Sequence, residues 1–276
     1  MSALNQGKDT EERQTDVVEI PTKAYNLVWI APRNFPVPTE QFFGEPIPHP
    51  TIANMYGIAE RNPDGDIRLW VDSRRMNDAE MGWLERTVGE CSSNNLTLHD
   101  FREVPEYREH PLYNQSDYSV EPHFQKDSLI WRQVDAARIL ACLCSPHDQV
   151  FYSDIDITNL VVNSSEVQKR LKKHGIILAG GVFETGNPWY ENQLFGFDRR
   201  KRKFFRQLYE RTLTDAVKRR KNGYPSYVKL IESELEEREG IDTRDIVFQV
   251  IRDDGTVPRH PQFEFTEKKL DTYRLI

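Results

Sequence analysis

Residues 127–159 read DSLIWRQVDAARILACLCSPHDQVFYSDIDITN. Ile130, Val134, Ala137, Ala141 and Cys144 recur at helical spacing, a turn follows at Ser145-Pro146-His147, and Val150-Phe151-Tyr152 is a β-prone run within a strand from Gln149 to Ser153. The strand delivers two carboxylates, Asp154 and Asp156, at its C-terminal end. In open α/β sheets ligands bind beyond the carboxyl ends of the strands, which is where these acids fall. Side chains at i and i+2 of a strand point the same way, so the pair can offer hard oxygen ligands to Mg²⁺ or Mn²⁺, and such a cation would bridge a diphosphate. A bare D-x-D triplet is most often a pair of solvated loop acids. Its position after a helix, a turn and a buried strand is what singles this one out.

In the same helix Asp135 and Arg138 are three residues apart and share a face. Arg138 borders the apolar stripe, four residues after Val134 and three before Ala141. A guanidinium so placed needs a partner, either Asp135 or a ligand phosphate. The plainer reading is a structural ion pair, and spacing alone does not separate the two.

Working outward, 276 residues allow one large domain or two small ones. A hydrophobic content of 38% and a charged content of 29% describe an ordinary globular chain, and a net charge of −7 argues against a general nucleic-acid binder. No apolar run approaches the roughly 18 residues of a membrane span, and the start lacks a signal peptide's charged and apolar regions. Cys91, Cys142 and Cys144 are too few and too scattered for a zinc site or a disulfide framework, so a reducing compartment is expected. That compartment is the cytoplasm, or a host cytosol if the chain is delivered there.

Residues 1–20 are polar and free of aromatics, predicting a mobile tail before a single domain spanning 21–276. Tyr25 to Ala31 is apolar enough for a buried central strand, and its Trp29 is either core or, near the strand's end, a platform for a nucleobase. A proline-rich loop from Phe35 to Pro50 precedes a helix Thr51 to Arg61, a turn at Asn62-Pro63-Asp64-Gly65 and a strand Ile67 to Val71 ending in Asp72. A helix Asp78 to Glu90 and a strand Leu96 to Leu98 continue the alternation, which predicts a mainly parallel sheet flanked by helices. Glu103 to His123 reads as a surface loop. Beyond the D-x-D, Ser164 to His174 is expected as a helix capped by Gly175, and Ile176 to Ala179 as a strand ending in Gly180-Gly181. Glu191 and Asn192 are candidate contacts to a sugar or a metal.

A long helix Asp198 to Asn222 and a second, Ser226 to Glu239, form a C-terminal helical hairpin in this reading, followed by a strand Ile246 to Ile251 and a polar tail or lid, Arg259 to Ile276. Between Arg199 and Lys221 eleven Lys or Arg meet only Glu210 and Asp215, with Asp198 just before. This is a solvated basic surface or a docking face for an acidic partner or anionic membrane.

Taken together, Leu27-Val28-Trp29-Ile30, Arg68-Leu69-Trp70-Val71-Asp72, Asp135-Ala136-Ala137-Arg138 and Tyr152-Ser153-Asp154-Ile155-Asp156 resemble, in order and separation, the D-x-D glycosyltransferases of the GT-A type. The likeness is to the glucosyltransferase domains of large clostridial cytotoxins and related bacterial effector glycosyltransferases, over approximately Pro21 to Phe197. It implies a Rossmann-like GT-A fold and metal-dependent transfer, with retention, from UDP-glucose or UDP-GlcNAc to a protein acceptor. By the same likeness Trp29 would stack on uracil, Asp135 and Arg138 would bind sugar hydroxyls and diphosphate, Asp154 would touch ribose and sugar, and Asp156 would coordinate Mn²⁺ or Mg²⁺. Glu191-Asn192 is similar to the last two residues of a His-Glu-Asn motif, with Tyr190 in place of the His. The chain departs from the family in carrying no lid Trp after Trp189 and no N-terminal helical bundle.

Two other readings compete. VFYSDIDIT, Val150 to Thr158, also fits the D-x-D-x-T signature of haloacid-dehalogenase-type phosphatases, with Asp154 as nucleophile, Asp156 as acid/base, and Asp253-Asp254 as the late acidic pair. That scheme leaves the first 120 or so ordered residues unexplained. The remaining reading is a catalytically inactive binding module working through its basic helix.

Overall fold

The computed structural model describes residues 23–30, 50–114, 129–155, 157–159, 165–182, 188–219, 230–248, 250–252 and 273–275. Its centre is β1, Lys23–Trp29, whose middle five residues are all buried because helices cover both faces of the strand. A polar residue there has to be satisfied internally. Asn26 is: its amide donates to the Phe151 carbonyl at 3.1 Å, and its Oδ1 accepts from Trp70 Nε1 at 2.8 Å and Ser145 Oγ at 2.9 Å.

Helix α1, Pro50–Arg61, leads to β2, Gly65–Val71, and α2, Asp78–Gly89, leads to β3, Leu96–Asp100. Asn77 and Glu80 close a reciprocal capping box at the start of α2, so that helix begins where its sequence says it should. After the short helix α3, Pro105–Glu109, and α4, Leu129–Leu143, come β4, Gln149–Ser153, and β5, Ile157–Asn159. Next are α5, Ser165–His174, β6, Ile176–Val182, β7, Pro188–Asp198, and α6, Arg202–Arg219. A π-helical stretch, Ile231–Arg238, precedes β8, Val247–Phe248, β9, Val250–Arg252, and β10, Tyr273–Leu275.

Seven strands form the main sheet in the order β3-β2-β1-β4-β7-β6-β8. The pairs β1–β2, β1–β4, β2–β3 and β6–β8 are parallel, whereas β7 runs antiparallel to both β4 and β6. The α/β class and the mostly parallel sheet are therefore as expected. One apolar core joins α4 and α6 to one face of the sheet, and a second joins α1, α2 and α5 to the other. From β1 the chain first builds outward through β2 and β3, then returns to add β4 on the other side. This leaves a topological switch point between β1 and β4, where such sheets hold ligands.

Several sequence readings are corrected. The segment after Glu103 is not a loop laid over the surface: Tyr107, Leu112 and Tyr113 are buried, and Tyr107 stacks between Phe101 and Tyr113. Beyond residue 114 that reading lies outside the described residues. Gly180-Gly181 does not end a strand, because β6 continues to Val182 against β7. The single strand expected over Ile246 to Ile251 is two: β8 joins the main sheet, and β9 joins a small sheet of order β5-β10-β9. In the expected tail, Tyr273–Leu275 is a strand of that small sheet. The turn of the expected C-terminal hairpin and residues 1–22 lie outside the described residues.

Candidate functional site

Helix α4 packs over the switch point and aims one polar side into the carboxyl end of the sheet. Arg138, nine per cent exposed, extends from it toward β4. Its Nη2 meets Asp154 Oδ1 at 2.9 Å, its Nη1 donates to Asn192 Oδ1 at 2.9 Å, and Asp135 Oδ1 lies 3.5 Å from Nη1. Asn192 completes the ring by donating through Nδ2 to Asp135 Oδ1 at 2.7 Å. The guanidinium also lies over the Tyr152 ring, 5.3 Å from its centroid, and the Tyr152 hydroxyl donates a short hydrogen bond to Asp154. Four residues named from the sequence, Asp135, Arg138, Asp154 and Asn192, thus come together.

The local backbone explains how. Asp154 directly follows β4, where its amide donates to the Gln193 carbonyl at 2.8 Å. Strand β7 stays in register with β4 as far as Ser153↔Leu194, but its register with β6 jumps between Leu178↔Phe195 and Ala179↔Glu191. Residues 192–194 are the excess on the β7 side. Such an irregularity re-aims side chains at a sheet end, and here Asn192 turns toward α4.

Asp135 and Asp154 have side chains only 15% and 22% exposed. Burial pushes both carboxyls above the usual range, and Arg138 opposes the rise in each; Asn192 also opposes it at Asp135, and Tyr152 at Asp154. One cation against two carboxylates leaves the cluster short of positive charge.

A metal can be tested against this donor set. Among the described residues no three His, Cys, Asp or Glu gather as a metal site. A Mg²⁺- or Mn²⁺-type ion is commonly held by only one or two carboxylates plus substrate phosphates, so a preformed cage is not needed. Asp154 offers a hard oxygen at the strand exit and in a region short of positive charge, which fits such an ion. Asp156 lies outside the described residues.

Trp29 closes β1 and is half-buried, packed against the core on the α1–α2 face. It shares the sheet's carboxyl end with the cluster but lies on the opposite face from α4. Glu191 pairs with Ala179 through its backbone, and its side chain lies outside the described residues. Tyr190, where the resembled His-Glu-Asn motif has a His, is two per cent exposed and donates to Thr243 Oγ1 at 2.7 Å and Glu236 Oε1 at 3.0 Å. It ties β7 to the π-helical stretch rather than facing the cluster.

Sequence reasoning missed Tyr152 as a partner of Asp154, although i and i+2 on one strand was a signal that could have found it. It also missed the anchor at Asp72. That carboxylate, buried at the end of β2, accepts from Arg74 Nε at 2.9 Å, Arg75 Nε at 3.0 Å and the Tyr107 hydroxyl at 2.9 Å. Burial works to raise its pKa, but the arginines and Tyr107 together hold it below the usual carboxylate value. Arg75 reaches on to Gln133 Oε1 at 2.5 Å, fixing α4 two residues before Asp135.

The basic run after Asp198 is not the unmatched surface that its composition suggested. Arg199 pairs with Asp148, Arg200 with Asp198, Lys201 with Glu239, and Arg206 with Glu106 at 2.6 Å. Arg202 donates to the carbonyls of Leu143 at 2.8 Å and Ser145 at 2.5 Å, capping the end of α4. Carboxylates distant in sequence thus pair with Arg199, Lys201 and Arg206, and Asp198 pairs with Arg200. Side chains from 215 to 221 lie outside the described residues.

No protein-family model matches the chain, and no curated protein matches it in sequence. Solved structures do. The chain is similar to a transferase carrying two cysteine-to-serine substitutions, with a TM-score of 0.51 at 13% identity over 87% of this chain and 93% of that one. The matches include glycosyltransferases: PaToxG glycosyltransferase, with a TM-score of 0.49 at 13% identity over 80% of this chain and 72% of that one, and mouse xyloside xylosyltransferase 1 in its apo form, with a TM-score of 0.44 at 10% identity over 78% and 83%. At these identities the likeness is one of fold alone.

Proposed function

We propose that this chain is a metal-dependent glycosyltransferase that moves a sugar from UDP-glucose or UDP-GlcNAc to a protein acceptor, with retention of configuration. The observation that carries the reading is the ring of Asp135, Arg138, Asn192 and Asp154 at the switch point between β1 and β4. Arg138, with a divalent cation answering the surplus carboxylate, would suit a nucleoside diphosphate, whose charge grows as the sugar departs. Arg138 would lie against the diphosphate, exchanging a carboxylate partner for phosphate oxygens. Asp135 and Asn192 would orient sugar hydroxyls, and Trp29, at the same carboxyl end but on the opposite face of the sheet, would stack on the uracil where it projects past the strand ends. Glu191 is assigned to the sugar side of the same pocket from its position beside Asn192. Asp154 and Asp156 would hold Mn²⁺ or Mg²⁺, which supplies Lewis-acid stabilisation of the leaving diphosphate.

The acceptor is proposed to be a protein and the setting cytosolic, the latter from cysteine usage; no helix among the described residues is long and apolar enough to cross a membrane. The phosphatase alternative gains nothing from the sheet, since β7 and β6 stand between β4 and β8, and Asp253 and Asp254 lie outside the described residues.

The test is paired. UDP with Mn²⁺ should raise the thermal midpoint of the wild-type chain, and Asp156→Asn should remove both that stabilisation and release of UDP from a UDP-sugar. An Asp156→Asn protein with full activity would remove the metal assignment. Absence of any UDP–Mn²⁺ stabilisation in the wild type would favour a binding module.

A further inference from the structure

At the opposite end of the sheet from the Arg138 cluster lies a second concave surface. It is a cleft of about 580 Å³ between α5 and the turn Arg199–Lys201, lined by Gln149, Gln168, Lys169, Lys172, Asp198 and Arg200. Gln149 opens β4 and pairs with Asp198 at the close of β7, whereas Asp154 follows the last residue of β4. At about 3.3 Å per strand residue the two sites are roughly 16 Å apart, too far for one small donor to occupy both.

Charge in the cleft runs against that of the whole chain. Lys169, Lys172 and Arg200 against Asp198 give +3 − 1 = +2, in a chain of net charge −7. Among the described residues neither lysine forms an ion pair, and Glu166 on the same helix is taken by Arg170 at 2.8 Å. Arg200 is fixed at the rim: it pairs with Asp198 and donates through Nη2 to the carbonyls of Leu171 and Lys172, each at 2.8 Å. Lys169 and Lys172 are three apart on α5 and so share a face, with Cβ atoms roughly 5–6 Å from each other. Alternate side chains of an extended peptide are spaced at about 6.6 Å, close to that separation.

The floor of the cleft narrows the ligand class. Gln149 Oε1 is buried without a hydrogen-bond donor, and its Nε2 lies at the long distance of 3.5 Å from Gln168 Oε1. The Gln149 amide thus has hydrogen-bonding capacity left for a ligand, and a peptide backbone, with a donor and an acceptor at each residue, can meet it in either orientation of the amide.

We propose that this cleft is a docking site for an extended acidic protein segment, with carboxylates two residues apart engaging Lys169 and Lys172 and a backbone amide answering Gln149. The site acts by binding alone and does not depend on the transfer reaction.

The probe is a fluorescein-labelled peptide of alternating Glu and Ser, followed by anisotropy with the intact chain. Lys169→Glu/Lys172→Glu should weaken binding by roughly tenfold or more, since two exposed charge reversals act together. A control with the same charge change, Lys203→Glu/Arg211→Glu on α6, should stay within about twofold of the wild type. All four residues are exposed, so circular dichroism should show both variants folded. Equal weakening in the two variants would reduce the effect to overall charge and overturn the proposal, as would no peptide binding by the wild type. Binding of phosphatidylserine vesicles that depends on Lys169 and Lys172, with no binding of the peptide, would likewise overturn it in favour of a membrane contact.

Discussion

Replacing Arg138 by Met and Asp154 by Asn, singly and together, tests whether the two side chains act as a unit. Their contact at 2.9 Å corresponds to about 6 kcal/mol of attraction at an effective dielectric of 20, most of it offset by the cost of removing both charges from water. After Asp154→Asn the guanidinium keeps Asn192 at 2.9 Å and Asp135 at 3.5 Å, so the expected loss is about 1–2 kcal/mol. After Arg138→Met two largely buried carboxylates face each other with no cation, and the expected loss is about 3–5 kcal/mol. In the double variant only Asp135 remains, held by Asn192 at 2.7 Å, so the costs should fall short of additivity by about 2 kcal/mol.

The assay is urea unfolding followed by tryptophan fluorescence, repeated across pH. Burial already raises both carboxyls in the native protein, and losing Arg138 raises them further. A carboxyl with a raised folded pKa contributes stability that is fully present below its unfolded value, near 3.8, and is lost as pH rises through the folded pKa. The Arg138→Met deficit should therefore be greatest near neutral pH and shrink on acidification. Additive costs, within about 0.5 kcal/mol, would refute the coupling. The same variant should lose about 10²–10³-fold in UDP-sugar turnover if Arg138 also meets the diphosphate, and a folded Arg138→Met protein with full turnover would leave the arginine a purely structural role.

Further outcomes follow from other parts of the chain. Trp29→Ala should weaken UDP binding by about 1–3 kcal/mol in calorimetry with Mn²⁺ present, whereas a loss of stability with unchanged affinity would make the indole core alone. Gly196→Ala would place a methyl 2.7 Å from Phe151 Cε1 and 3.1 Å from Ile177 Cγ1, and should cost about 1–3 kcal/mol in urea unfolding. Gly89→Ala, with nothing within 4 Å of the new methyl, is its control and should be neutral or stabilising. His99, stacked on Trp70 at 4.8 Å with Arg68 Nε donating to it at 3.0 Å, is pushed down to about 4 by burial and then by the Arg68 charge. Its depressed pKa means that stability is lost as pH falls from 6.5 toward 4, by about 1–2 kcal/mol once solvent screening is allowed for; His99→Gln should flatten that slope, and an unchanged slope would refute the assignment.

Periodicity and turn chemistry act within about a dozen residues, and what they govern was legible in the sequence. The helix now seen as α4, the turn after it and β4 with Asp154 at its exit were readable from residues 127–159, because each depends on local spacing. So were α1, β2 and α2, and hence the α/β class. Decisions made between distant residues were not. The antiparallel insertion of β7 between β4 and β6 pairs Ser153 with Leu194 and Ile176 with Phe197, residues far apart in the chain, and is a property of no single segment. Spacing alone could pair Arg138 only with Asp135, whereas its short contacts are to Asp154 and to Asn192, 54 residues away, brought in by the irregular register of β7. Charge counting over Arg199 to Lys221 left a solvated basic surface or a docking face open, but it could not show that Asp148, Glu239 and Glu106 pair with Arg199, Lys201 and Arg206, or that the last carbonyls of α4 hold Arg202. An ion pair is decided by distance in space, which the order of residues along the chain does not set once the chain has folded back on itself.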